Sequence, residues 1–209
     1  MPTRTPEKEK TPRYEMGQPK ASSHTSSTSS DASILHDNPD YIPPNQQDIL
    51  LTDVTSKKLH TVISGELEVL YLSPAEETQS SPLLGFVFGF NKRLLVNVVT
   101  RRRSRRVDGP KYPSFNVVFL CDTGSPSTFI CAEAMTVLLG KQNQDAIPET
   151  LTVQLADFPF AVEANVSPFA SHYSDVNVIG MDVLMQLETT IHGKSLSFTL
   201  APDHEYKVE

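Results

Sequence analysis

The stretch FLCDTGSPSTFI, residues 119 to 130, ends one apolar run on Asp122, turns on Thr123 and Gly124, and at once starts a second apolar run. Phe115, Val117, Phe119 and Cys121 fall on one face of the strand that leads in, and Asn116, Val118, Leu120 and Asp122 on the other. Asp122 thus ends a strand that is apolar on both faces, where an unpaired charge taken out of water is costly. It is either a turn residue or a working one. Asp, Thr, Gly, Ser and Pro are all turn formers, and a tight connection between two strands would account for every one of them.

Outward from this stretch the chain reads as short strands. Leu59, Thr61 and Ile63, then Leu67, Val69 and Tyr71, fall at alternate positions with Ser64 and Gly65 between them, which predicts two strands and a turn. Phe86, Phe88 and Phe90 alternate again, and RLLVNVVT (93–100) is rich in β-branched residues. Beyond Asp122, Thr128 to Cys131 continue as strand, and Ala132 to Leu139 suit a helical turn closed by Gly140. ETLTVQLADFPFAVEANV (149–166) predicts two strands around a turn near Ala156 to Pro159. The segment 176–200 predicts a strand, a glycine, a short helix from about Asp182 to Leu187 and a terminal strand from Ser195 to Leu200. The fold class is mostly β, from about residue 48 to 200, with a short helix near its end.

Residues 1–47 combine repeated Pro with SSHTSSTSS (22–30), a composition that cannot bury enough apolar surface to offset its ordering entropy, so a disordered tail is expected. Residues 48–90 form a β-rich extension without an assigned role. With 18 Lys and Arg against 25 Asp and Glu, the net charge of −7 favours neither nucleic acid nor an anionic membrane as partner. Cys121 and Cys131 belong to no CxxC and have no His at ligand spacing, so neither a metal site nor a disulfide framework is indicated, and no cofactor is expected. The first twenty residues lack the apolar core of a signal peptide, and the apolar segment 83–99 is interrupted by Asn91, Lys92 and Arg93. An intracellular location, cytoplasmic or nuclear, is expected. The run RRRSRR (101–106) is open to three readings: a nuclear signal, a partner patch, or a solvated loop joining two strands.

LLVNVV (94–99), FLCDTGSPST (119–128), NVIGMDVL (177–184) and KSLSF (194–198) stand in an order that resembles the retropepsin family, the single-domain aspartic proteases of retroviruses, retrotransposons and some cellular proteins. The resemblance covers roughly residues 90–200 and implies a closed β-barrel acid-protease fold over 91–202. It also implies a catalytic Asp122. Peptide hydrolysis by carboxylates needs two of them sharing a proton around one water. This chain has one Asp-Thr-Gly, so the resemblance implies a homodimer with one Asp122 from each copy, acting on a peptide or protein substrate.

The resemblance also assigns supporting residues. Thr123 would hydrogen-bond across the two-fold axis, and Gly124 would allow a close backbone approach with its N–H on the carboxylate. Ser125 stands where viral members commonly have Ala, and its hydroxyl is expected on the carboxylate, favouring the ionised form. Ile179 and Gly180 would pack beneath the loop, glycine because a side chain would collide there. Ser195 to Leu200 would supply interface strands. Asp182 is read as a first-turn acid of its helix. The chain departs from the family at the flap: LLGKQNQDAIPE (138–149) has one Gly and no evident strand pair. A dimerisation or peptide-binding module without efficient catalysis is therefore the alternative function.

Overall fold

The computed structural model describes residues 53–75, 79–104, 112–140, 147–169 and 171–202. The expected tail, 1–47, lies outside the described residues, as do Arg105 and Arg106. The elements in chain order begin with three consecutive helical pieces, Ser56–Lys58, a π-helical turn Leu59–Ile63, and Ser64–Glu66, together called α1. Next come β1 (Pro74–Ala75), β2 (Leu83–Phe88), β3 (Arg93–Arg102), β4 (Ser114–Cys121) and β5 (Phe129–Ile130). They are followed by α2 (Ala132–Leu139), β6 (Thr150–Leu155), β7 (Ala161–Val166), β8 (Asn177–Ile179), α3 (Met181–Leu184), β9 (Leu187–His192) and β10 (Ser197–Pro202).

Six strands close on themselves. The order β4-β8-β5-β7-β6-β3 is completed by the β3–β4 pairing, so the described residues form a closed six-stranded β-barrel. β3 is the longest strand and serves three neighbours: Arg93 to Val96 pair with β2, Leu94 to Arg101 with β4, and its last three residues with β6. Valines and leucines alternate with little polar interruption in β3 and β4 because both faces are covered. Val96, Val98, Val117, Val118 and Phe119 are all fully buried. β2, β10 and β9 extend the sheet outward from β3. β2 precedes residue 91 yet is hydrogen-bonded between β3 and β10.

Several predicted elements are present. The β6–β7 hairpin turns where expected, with Thr150 opposite Asn165 and Gln154 opposite Ala161. α2 ends at Gly140, whose φ of 63° lies in the left-handed region and whose N–H returns to Thr136 and Val137.

Four expectations need correction. Residues 59–63 are helical, not strand, and Leu67 to Tyr71, expected as the second strand of the pair, form turns and a bend, so the described part of the β-rich extension carries no strand before Pro74. Leu59 and Ile63 are spaced i, i+4 and both fully buried, whereas Thr61, which a strand would place on the same face, is exposed. Thr55 caps this helix through its hydroxyl, 3.4 Å from the Lys58 amide. Arg101 and Arg102 belong to β3, opposite Gln154 and Val153, and not to a solvated loop. The C-terminal helix is a single turn, Met181–Leu184, followed by the unforeseen strand β9. Finally, β10 is internal, flanked by β2 and β9, so it offers no open edge; β9 is the edge strand.

The N-terminal segment belongs to the same core. Val54, Leu59, Ile63 and Tyr71 are buried with the barrel residues, and each fully buried Leu or Ile contributes about 1.5–3 kcal/mol. Tyr71 reaches deepest. Its hydroxyl accepts from Asn177 Nδ2 at 2.8 Å and lies 3.5 Å from Cys131 Sγ, while Asn177 also binds the Val118 carbonyl and the Cys131 amide. Burial pushes the Tyr71 phenol and the Cys131 thiol up.

Candidate active site

β4 delivers Asp122 to its place. β4 and β8 run parallel, Leu120 opposite Val178 and Cys121 opposite Ile179, and the Asp122 amide donates to the Ile179 carbonyl at 3.0 Å. The strand pairing therefore continues up to the carboxylate. The chain then turns: the Gly124 amide donates to Asp122 Oδ1 at 2.8 Å and the Ser125 amide to the Asp122 carbonyl at 3.2 Å. An N–H on a carboxylate oxygen fixes its orientation.

The loop is held from below by the start of α3. The Met181 amide donates to the Ser125 carbonyl at 2.8 Å and the Asp182 amide to the Pro126 carbonyl at 3.2 Å. Gly180 lies against the loop backbone so closely that a Cβ there would overlap the Ser127 carbonyl and stand 2.9 Å from the Ser125 oxygen. The collision expected at this glycine is present in the structure.

A second tie was not foreseen. Thr128, fully buried, donates its amide to Asp182 Oδ2 at 2.9 Å and its hydroxyl to Asp182 Oδ1 at 2.7 Å, and accepts from the Gly180 amide at 3.1 Å. Asp182 does occupy the first turn of α3, with Oδ1 on the Val183 amide, but it also clamps the far end of the Asp122 loop. The only sequence signal for this was an acid two positions after the glycine and a β-branched, polar Thr at the loop's end.

Ser125 differs from expectation. Its hydroxyl donates to the Ser127 carbonyl at 2.7 Å and so braces the loop, leaving the carboxylate to Gly124. Thr123 and Gly124 are exposed at the tip of the turn, and the Thr123 hydroxyl has no hydrogen-bond partner among the described residues. Ile179 is fully buried beneath the loop. Burial pushes the Cys121 thiol, one residue before the carboxylate, up to about 12, which leaves it an uncharged neighbour at ordinary pH.

A polar cluster borders this turn. Arg93 stands one position beyond the last registered pair of β3 and β4, Leu94 with Cys121, and so at the level of Asp122. Its Nε donates to Asp53 Oδ1 at 2.9 Å, and its guanidinium lies over the Tyr173 ring at 5.5 Å. The Tyr173 hydroxyl donates to the same Asp53 oxygen at 3.2 Å, and Asn91 Nδ2 donates to Asp53 Oδ2 at 2.7 Å. Burial first, and then Asp53, raise the Tyr173 phenol well above its usual range, with Asp122 adding to the effect.

The described residues contain no group of three or more His, Cys, Asp or Glu placed to hold a metal ion, and no helix long and apolar enough to cross a membrane. His60 is paired with Glu133 at 2.8 Å, and His172 and His192 are exposed. Comparisons with family models, with curated proteins and with solved structures find no match to this chain.

Proposed function

We propose that this chain is a retropepsin-like aspartic endopeptidase that acts as a homodimer, with the Asp122 carboxylates of two copies sharing a proton around one water. The observation that carries this reading is the braced turn at the end of β4: Asp122 is oriented by the Gly124 amide on a loop locked beneath by Gly180, Met181 and Asp182. An ordinary hairpin turn needs no such foundation. In the reaction, the ionised carboxylate takes a proton from the attacking water while the protonated one donates to the substrate carbonyl oxygen. Each chain supplies one such group, and Thr123, exposed at the tip, would make the contact across the two-fold axis.

β9 is the strand to which we assign the second copy. Five of its six residues are exposed, Ile191 by 58 %, and it has β10 on one side only. An edge strand that lacks Lys, Pro or a bulge is open to pairing with another chain.

Cleavage of a peptide library by the purified chain across about pH 3 to 7, the span in which a coupled carboxylate pair titrates, tests the reading, with Asp122→Asn alongside. Cleavage that persists in the variant defeats it. The second reading, a module that dimerises or binds peptides without cutting them, is favoured by one feature: only residues 141–149 separate Gly140 from β6, which is short for a substrate-covering hairpin. A sedimentation experiment showing a monomer at high concentration would count against both.

A further inference from the structure

Arg93 creates a difficulty for a catalytic Asp122. Residues directly opposite in an antiparallel pair have Cα atoms only about 4.5–5.5 Å apart and share a face. Carried one position past the Leu94–Cys121 pair, the register would set Arg93 level with Asp122, and a guanidinium bound to that carboxylate would hold it charged and block the shared-proton state that a dyad needs.

The guanidinium has partners in the N-terminal segment and the β7–β8 loop. It is bound by Asp53, which comes from the segment ahead of α1 and lies 40 positions before Arg93. Asp53 is itself held by donors from three elements: Arg93 at the start of β3, Asn91 from the β2–β3 turn and Tyr173 from the β7–β8 loop. Lys58 of α1 adds a bond from Nζ to the Asp53 carbonyl at 2.9 Å, which fixes the backbone that carries the carboxylate. Arg93 and Asp53 are both largely buried, with 20 % and 17 % of their side chains exposed, so the pair is not a loose surface contact.

We propose that Asp53 is a positioning residue of the active site: it anchors the Arg93 guanidinium against Tyr173 and thereby keeps it off the Asp122 carboxylate. The N-terminal segment is then part of the catalytic apparatus and not an appendage. The inference rests on the reading of Asp122 as half of a catalytic pair, although its structural part can be tested without activity.

The experiment compares the full chain with Asp53→Asn, Asp53→Asn/Arg93→Gln and Asp53→Glu, by crystal structure and by steady-state cleavage of a peptide that the wild type cuts. In D53N the Arg93 guanidinium is expected within about 4 Å of the Asp122 carboxylate. There kcat falls about tenfold or more, the equivalent of one unit of charge-state preference, with KM little changed. Adding R93Q restores kcat, because the displaced cation is gone, a rescue that a merely structural role for Asp53 would not show. A folded D53N in which Arg93 keeps its place over Tyr173, or a double variant as slow as D53N, overturns the proposal. Should D53N fail to fold, D53E, which keeps the charge and shifts the carboxylate by one methylene, carries the same structural readout and the same R93Q rescue. Absence of Asp122-dependent cleavage in the wild type would defeat the function proposed above, while the crystallographic arm would still decide whether Asp53 restrains Arg93.

Discussion

Two turns in this barrel each place an aspartate between two strands, and they are built differently. At the β6–β7 turn, Asp157 is exposed, and its carboxylate accepts from the Ser81 hydroxyl at 2.6 Å and amide at 3.3 Å. The Phe158 amide closes the turn on the Leu155 carbonyl at 3.1 Å. At the β4–β5 turn, Asp122 is oriented from within by Gly124, and the loop rests on Gly180, α3 and the buried Thr128. The first turn is tied at its flank, by the Ala156 amide on the Val99 carbonyl at 2.8 Å and the Asp157 amide on the Gln79 carbonyl at 3.1 Å. The second is held by a separate part of the chain that arrives more than fifty positions later. Local composition makes a turn in both places; the second carries its carboxylate on a loop whose own backbone is bonded to the start of α3 and whose far end is clamped by Asp182.

The contrast breaks most visibly in activity. Asp122→Asn is expected to lower cleavage by about 10²–10⁴-fold, while Asp157→Asn leaves it unchanged; equal losses in both would erase the distinction. Next in size is the foundation itself. Gly180→Ala drives a methyl into the Ser127 carbonyl and should cost about 1–3 kcal/mol in urea unfolding. Gly193→Ala, which meets nothing within 4 Å, serves as the control. A tolerated Gly180→Ala would mean the loop can give way.

Asp182→Ala removes the acceptor of both Thr128 donors, and leaving a buried donor unpaired costs about 1–3 kcal/mol. Asp157→Ala, at an exposed site, should stay within about 0.5 kcal/mol. Thermal melts of the two variants compare them directly, and similar shifts would show that Asp182 is no more than a helix cap.

The smallest effect is absent near neutral pH. β4 carries Cys121 beside Asp122, and burial raises this thiol from 9.0 to about 12; burial also pushes the Cys131 thiol up. The folded state holds these protons after the unfolded chain has begun to lose them, so stability is intact below pH 9.0 and falls as pH rises towards about 12. Urea midpoints at pH 7 and pH 10 measure this, and Cys121→Ala should flatten the difference. An unchanged slope in that variant would assign the alkaline loss to other groups.

The amino-acid sequence by itself determined the strand that is apolar on both faces, the Asp122-Thr123-Gly124 turn at its end, the β6–β7 hairpin, the capped helix before Gly140 and the glycine at 180. All of these follow from patterns within a dozen residues, where periodicity and turn chemistry act directly on the backbone. Alternation misread residues 59–63, because Leu59 and Ile63 fit both a strand and a helix, and only burial against the barrel selects the helix.

Tertiary structure alone decided the rest: the bracing of Thr128 by Asp182, the Ser125 hydroxyl on Ser127, the exposed edge at β9, and the capture of Arg93 by Asp53. Polar side chains have many permissible partners, and which one each meets is set by barrel closure, which brings together residues from distant parts of the chain.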